Sequence, residues 1–337
     1  MDTPNDPLPA VPPPVFSEQP GNSFAQDAFF GPNGLKAGWR LFIFFAILSG
    51  LFAFEILLTR IIGHGRVRRS GFKGQYLLFG EALSFVLVLV ASWIMTKIEG
   101  RTISDYGLPW RRAFGSRFRQ GIAIGFASIT ALLAALRAAG VFHFGEISLH
   151  GAEIWKYAAL WGAVFLFVGF FEEFAVRGYA LFTLATGVGF WPAAIAMSVL
   201  FGCLHYGNSG ESLVGMFNAG VVGFLFCLLL RRTGDLWMPI GFHAAWDWGE
   251  SYFYGVPDSG QVAQGHLLSA SFSGPHWLTG GTVGPEGSWL CFLLLLFLWF
   301  IFAAWLREAK YPNPRGTAGP RGSNISAVPL PPNGAAC

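Results

Sequence analysis

Eight apolar stretches, each close to the roughly 20 residues that cross a bilayer as a helix, leave this chain few ways to fold. They run at about 39–62, 76–96, 121–141, 154–186, 190–206, 212–230, 237–254 and 288–306. A backbone in hydrocarbon must satisfy its own hydrogen bonds, so such runs fold as helices rather than as open strands. Composition agrees: 53% of the 337 residues are hydrophobic and 12% are charged, about half the charged share of an ordinary globular domain. The expectation is an all-α polytopic membrane protein of about eight transmembrane helices with an intramembrane active site. Its helical membrane domain covers residues 38–310, and Pro-rich tails at 1–37 and 311–337 read as disordered.

A net charge of +3, scattered along the chain, excludes nucleic acid as a partner and leaves the lipid bilayer as the surroundings. Cys203, Cys227 and Cys291 lie in apolar runs and Cys337 ends the chain, so neither a disulfide framework nor a zinc cysteine cluster is expected. Residues 1–37 lack the basic-then-apolar order of a signal peptide. Between Arg232 and Arg307 there is no lysine or arginine, which places the long loop at 255–287 outside. Both termini then lie in the cytoplasm, with a bacterial inner membrane as the expected location. One loop departs from that assignment: Arg60, Arg66, Arg68, Arg69 and Lys73 fall between the first two spans. The segment 97–119, with Trp110, Phe114 and Phe118 among its arginines, reads either as a stretch in the headgroup region or as a plain basic loop.

The chemistry is concentrated in three places. Glu172-Glu173-Phe174-Ala175-Val176-Arg177 interrupts the fourth apolar run, where each ionised group costs about 2.5–3.5 kcal/mol even on lenient scales. Residues four apart share a helix face, so Glu173 and Arg177 can pair, and Glu172, rotated by about 100°, is the freer carboxylate. Phe201 and His205 in the fifth run, and His243 and Asp247 in the seventh, repeat the same spacing. Each motif alone reads as an interfacial ion pair or a hydrogen-bonded core histidine; three helices contributing together read as one polar pocket. Two chemistries stay open. Glu172, His205, His243 and Asp247 could ligate a divalent metal such as zinc beside an open water position, or Glu172 could act as general base without metal while the histidines hold water and stabilise the oxyanion. Glu55 and Glu81, in the first two spans, read as hydrated near helix ends. His266, His276 and Glu286 in the 255–287 loop, like His64, His143 and His150, have no ligand spacing, and no Gly-x-Ser-x-Gly elbow surrounds Ser198, Ser209 or Ser212.

In this order on successive apolar helices, Glu172-Glu173-x-x-x-Arg177, Phe201-x-x-x-His205 and His243-x-x-x-Asp247 resemble the signature of the CPBP intramembrane protease family, which includes the type II CAAX prenyl endopeptidases and Abi-type, bacteriocin-immunity-like proteins. The likeness covers about residues 150–255, with a weaker one at 101–108. It implies a helical membrane endopeptidase whose site opens to the cytoplasm, and a peptide or protein substrate, membrane-anchored in the prenyl branch. Glu172 then resembles the catalytic base and His205 its partner on the water, with His243 and Asp247 serving the oxyanion and Glu173 and Arg177 mainly structural. Asp247 departs from the asparagine of the prenyl branch, and an ionised carboxylate cannot donate to an oxyanion. The family also contains the other function weighed for this chain, a catalytically silent membrane scaffold or immunity-like protein that uses the same pocket for binding.

Overall fold

The computed structural model describes residues 28–31, 34–62, 74–208 and 210–311. The remainder of the two expected tails, the basic stretch 66–73, His64, Ser209 and Cys337 lie outside the described residues. Next to the first span, Phe30–Gly31 pairs antiparallel with Gly34–Leu35, and the Phe29 ring rests on Trp39 with centroids 4.5 Å apart.

The protein is an all-α polytopic membrane protein. Among the described residues, six helices are long and apolar enough to cross a membrane: α1 (Ala37–Ile62), α2 (Gly74–Glu99), α3 (Ser116–Ala138), the compound span of α4 (Ala152–Phe174) and α5 (Leu181–Val188), α6 (Phe190–Leu204) with its terminal turn, and α7 (Leu213–Thr233). Helix α8 (Trp237–Asp247) runs on as a π-helix over Trp248–Tyr254, and α9 (Trp289–Trp305) is a shorter apolar helix. The expected seventh span is therefore the enclosed element of the bundle: nearly every residue of α8 is buried. Helix α1 is the opposite case, with Phe42, Phe45, Phe54 and Leu57 exposed, as lipid-facing side chains should be.

Small residues let α3 and α8 touch backbone to backbone. A Cβ on Gly121 would run into the Met238 carbonyl, one on Gly125 into the Phe242 carbonyl, and one on Gly241 into the Phe118 carbonyl. Close approach of this kind drives helix association where lipid offers no hydrophobic gain. Because the obstacle is backbone, it cannot turn aside. Gly125→Ala is expected to lower the thermal midpoint of the detergent-solubilised protein by the cost of overpacking, about 1–3 kcal/mol; an unchanged midpoint would contradict this packing.

Basic residues collect at one end of the bundle. There Arg40 Nη1 lies 3.0 Å from Glu99 Oε2, Arg112 Nη1 lies 3.2 Å from Asp235 Oδ2, and Arg231 and Arg232 donate to the carbonyls of Tyr311 and Arg307. Trp110 is exposed in this end, while Phe114 packs on Trp237, so the 97–119 segment combines an anchored and a free aromatic. The other end carries the 140–151 turn, in which Phe142–His143 pairs with Ser271–Phe272, and the 255–287 loop.

Candidate active site

The compound fourth span supplies the acidic pair just before it kinks. After Phe174 the helix widens into a π-turn over Ala175–Ala180, with Gly178 at φ −79° and ψ −116°. A Cβ at Gly178 would lie 2.8 Å from the Phe174 ring, so glycine is what lets the chain bend there. π-turns of this kind are frequent at functional sites.

Glu173 and Arg177 are both fully buried and meet at 3.2 Å between Oε1 and Nη1. The guanidinium lies over the Phe201 ring at 4.1 Å, a cation–π contact, and fits only because residue 223 is glycine, where a Cβ would collide with Nη2. The same Glu173 Oε1 is 2.9 Å from His243 Nδ1. Glu173 is thus more than the partner of Arg177: it fixes the ring of His243, a contact between helices that spacing within one helix does not reveal. On the far side of that ring, Nε2 is 3.8 Å from Glu172 Oε2 and 3.5 Å from Asp247 Oδ2. These are ion-pair separations rather than hydrogen bonds, so Glu172, whose side chain is 29% exposed, keeps its lone pairs for another partner.

His205 closes α6, where the helix tightens into a 3-10 turn. Its Nδ1 donates to the Phe201 carbonyl at 2.8 Å, which in the neutral ring leaves Nε2 as an acceptor. Glu172, His205, His243 and Asp247 all line one cavity of about 220 Å³. The rest of its wall is mixed, with Phe165, Val168, Phe226 and Phe242 beside Glu81, Asn208, Glu211, Asp258 and Glu286. The pattern of three motifs therefore finds its four cavity residues, with Glu173 and Arg177 buried behind them, and misses the polar rim. Glu81, read as hydrated at a helix end, belongs to the wall.

The 255–287 loop roofs this cavity. Asn218 Nδ2 donates to the carbonyls of Glu286 at 2.7 Å and Ser288 at 3.0 Å, and Trp246 Nε1 donates to Glu286 Oε1 at 3.0 Å. Ser251 Oγ donates to Asp258 Oδ2 at 2.9 Å. Burial pushes Asp258 up to about 6, against the Ser251 bond and the charge of His243, which lower it. Burial, reinforced by Asp258, pushes Glu286 up to about 8. His266 Nδ1 faces the Ala263 carbonyl at 2.7 Å. Ser212 caps α7 by accepting from the Gly215 amide, and Ser198 is buried, so both serines have structural places.

Glu172, His205, His243 and Asp247 bring oxygen and imidazole donors of the kind that hold a divalent metal to one cavity. Among the described residues, the trio whose ligand atoms all lie within 4.8 Å of one another is Glu250, Asp258 and Glu286, and none of the four belongs to it. Glu173 holds His243 at Nδ1, which leaves Nε2 on the side of Glu172 and Asp247; a carboxylate on the second ring nitrogen is also how metal-ligating histidines are oriented.

No curated protein matches the chain. A protein-family model described as "Type II CAAX prenyl endopeptidase Rce1-like" matches residues 154–249, a stretch that begins in α4, ends just past α8 and holds all three motifs. Residues 154–249, with their buried Glu173–Arg177 pair and their cavity lined by Glu172, His205, His243 and Asp247, are therefore similar to the type II CAAX prenyl endopeptidase Rce1-like family, in agreement with the CPBP resemblance of the motifs.

Proposed function

We propose that the protein is an intramembrane endopeptidase in which Glu172 activates water against a peptide bond without a resident metal. The observation that carries this reading is the placement, on one cavity, of a carboxylate with free lone pairs and two imidazoles each held at Nδ1. Glu172 takes a proton from water while His205 Nε2 accepts the other hydrogen and aligns the oxygen. The oxygen attacks the scissile carbonyl carbon, and the charge that develops on the carbonyl oxygen falls to Nε2–H of His243 as an imidazolium, the form in which Nδ1–H is held by Glu173 and Nε2–H faces Glu172 and Asp247. Glu172 then returns its proton to the leaving amine, which balances the step. Asp247 cannot donate as an anion, so its role is to orient His243 from one helical turn away, and Glu173 does the same at the other nitrogen. Arg177 holds Glu173.

Purified full-length protein in liposomes is expected to cut peptides from a mixed set, with new termini found by mass spectrometry, and to keep its rate in the transition-metal chelator phenanthroline. Loss of cleavage in the chelator and recovery with zinc would overturn the metal-free step.

The cavity extends from Glu172 and His243 toward the 255–287 roof, away from the arginine-rich end. Lysine and arginine bias puts that basic end and both termini in the cytoplasm. The roof and the mouth beneath it then face outward, which departs from the cytoplasmic opening that the resemblance implies and sets cytosolic prenylated tails apart from this cavity. With Cys203 and Cys337 replaced by serine, a membrane-impermeant thiol reagent applied to intact cells is expected to label Gln261→Cys and to spare Arg111→Cys. The reverse pattern would invert the assignment and restore a cytoplasmic site.

A further inference from the structure

Three carboxylates, two from the roof and one from the helix beneath it, meet beside the catalytic cluster. Glu250 lies on the π-helical turn three residues beyond Asp247, Asp258 follows the glycine turn at Gly255, and Glu286 sits in the single turn Pro285–Gly287. One oxygen of each falls within 4.8 Å of the other two. Glu250 is fully buried and neither of its oxygens has a hydrogen-bond partner. Among the described residues none of the three forms an ion pair with lysine or arginine. The neighbouring donors Ser251, Ser259 and Trp246 give their hydrogen bonds to Asp258 and Glu286, with the Trp246 indole also near Glu250. Gly284, at φ +107°, passes so close that a Cβ would collide with the Pro257 carbonyl and stand 3.4 Å from Glu250 Oε1, so the roof is pressed onto the orphaned carboxylate. Burying a carboxylate with no partner is costly, and a cation drawn to the trio would offset that cost, as protonation of one member also would.

We propose that Glu250, Asp258 and Glu286 bind a hard divalent cation, calcium by preference, that clamps the 255–287 roof onto the helix carrying His243 and Asp247. All three donors are carboxylate oxygens, with no nitrogen or sulfur to favour zinc. Oxygens bound to one calcium at about 2.3–2.6 Å can stand up to about 5 Å apart, whereas magnesium at about 2.0–2.1 Å draws its ligands closer. The site is separate from Glu172 and independent of the proposed hydrolysis, because the cation would act on position and not on the reacting bond. Asp258 and Glu286 also line the catalytic cavity, so the clamp would set the shape of its mouth.

The test uses the full-length protein in detergent, stripped with EDTA and titrated with calcium chloride or magnesium chloride while thermal unfolding is followed. Calcium is expected to raise the midpoint saturably and magnesium to do so less. Glu250→Gln and Asp258→Asn are expected to lose the calcium shift, and Glu250→Gln in EDTA to melt at or above wild type because a like charge has gone. Glu172→Gln is expected to keep the shift. Absence of any shift in wild type, an unchanged shift in both roof variants, or its loss in Glu172→Gln would overturn the assignment. Terbium luminescence sensitised by Trp246 gives a readout that does not depend on unfolding: calcium should compete it away, and a signal equal in wild type and Glu250→Gln would overturn the site.

Discussion

Glu172→Gln is expected to slow peptide cleavage by about 10²–10⁴-fold, the range over which a positioned general base contributes, while the protein melts as wild type does. The amide matches the carboxylate in shape but cannot take a proton from water. Glu172 is part-exposed on the cavity and stands 3.8 Å from its nearest ionic partner, His243 Nε2, so the exchange leaves no buried group newly unpaired. That separates it from Glu173→Gln. Glu173 is buried and shared between Arg177 and His243, and its replacement should lower both the melting temperature and the rate. Rates and midpoints measured on the same preparations distinguish the two patterns. Complementation of a deletion strain by Glu172→Gln would instead favour the silent scaffold.

Arg177→Met carries the largest expected cost in stability. The guanidinium is fully buried, pairs with Glu173 and stacks on Phe201. Glu173 Oε2 has no hydrogen-bond partner, so loss of the arginine leaves a buried carboxylate with His243 Nδ1 as its remaining partner. Breaking a buried pair from one side costs about 3–5 kcal/mol, whereas replacing both members with neutral groups of similar volume is often close to neutral. The expected series is therefore a large fall in the thermal midpoint for Arg177→Met and substantial recovery for the double variant with Glu173→Gln. Recovery of stability should not bring back activity, because His243 has lost the carboxylate that orients it. A double variant no more stable than Arg177→Met alone would contradict the pairing.

Much of this could be read from the sequence, for identifiable reasons. The spans follow from hydropathy and length, and the pairs Glu173–Arg177 and His243–Asp247 follow from a four-residue spacing that survives even where α4 widens into a π-turn. Contacts between helices leave no such period. The Glu173–His243 bond, the seat for Arg177 at Gly223 and the roof pinned by Asn218 all join residues that helical spacing treats as unrelated. Asp258 and Glu286 were harder still, because they lie in a glycine-rich loop whose course is set by positive-φ turns at Gly255, Gly260 and Gly284. Glu250 sits past the end of the motif at Asp247, on a second π-turn that a 3.6-residue period does not anticipate. Two readings that were compatible in sequence, a site open to the cytoplasm and a 255–287 loop outside, collide once that loop is seen to cover the site.

The central claim is that Glu172 directs a water molecule onto the scissile bond. Single-turnover cleavage of a bound peptide in water enriched in oxygen-18 tests it most directly. The account predicts one heavy oxygen in the newly formed carboxylate with wild-type protein and almost no labelled product from Glu172→Gln over the same interval. Labelled product from Glu172→Gln at the wild-type rate would contradict it.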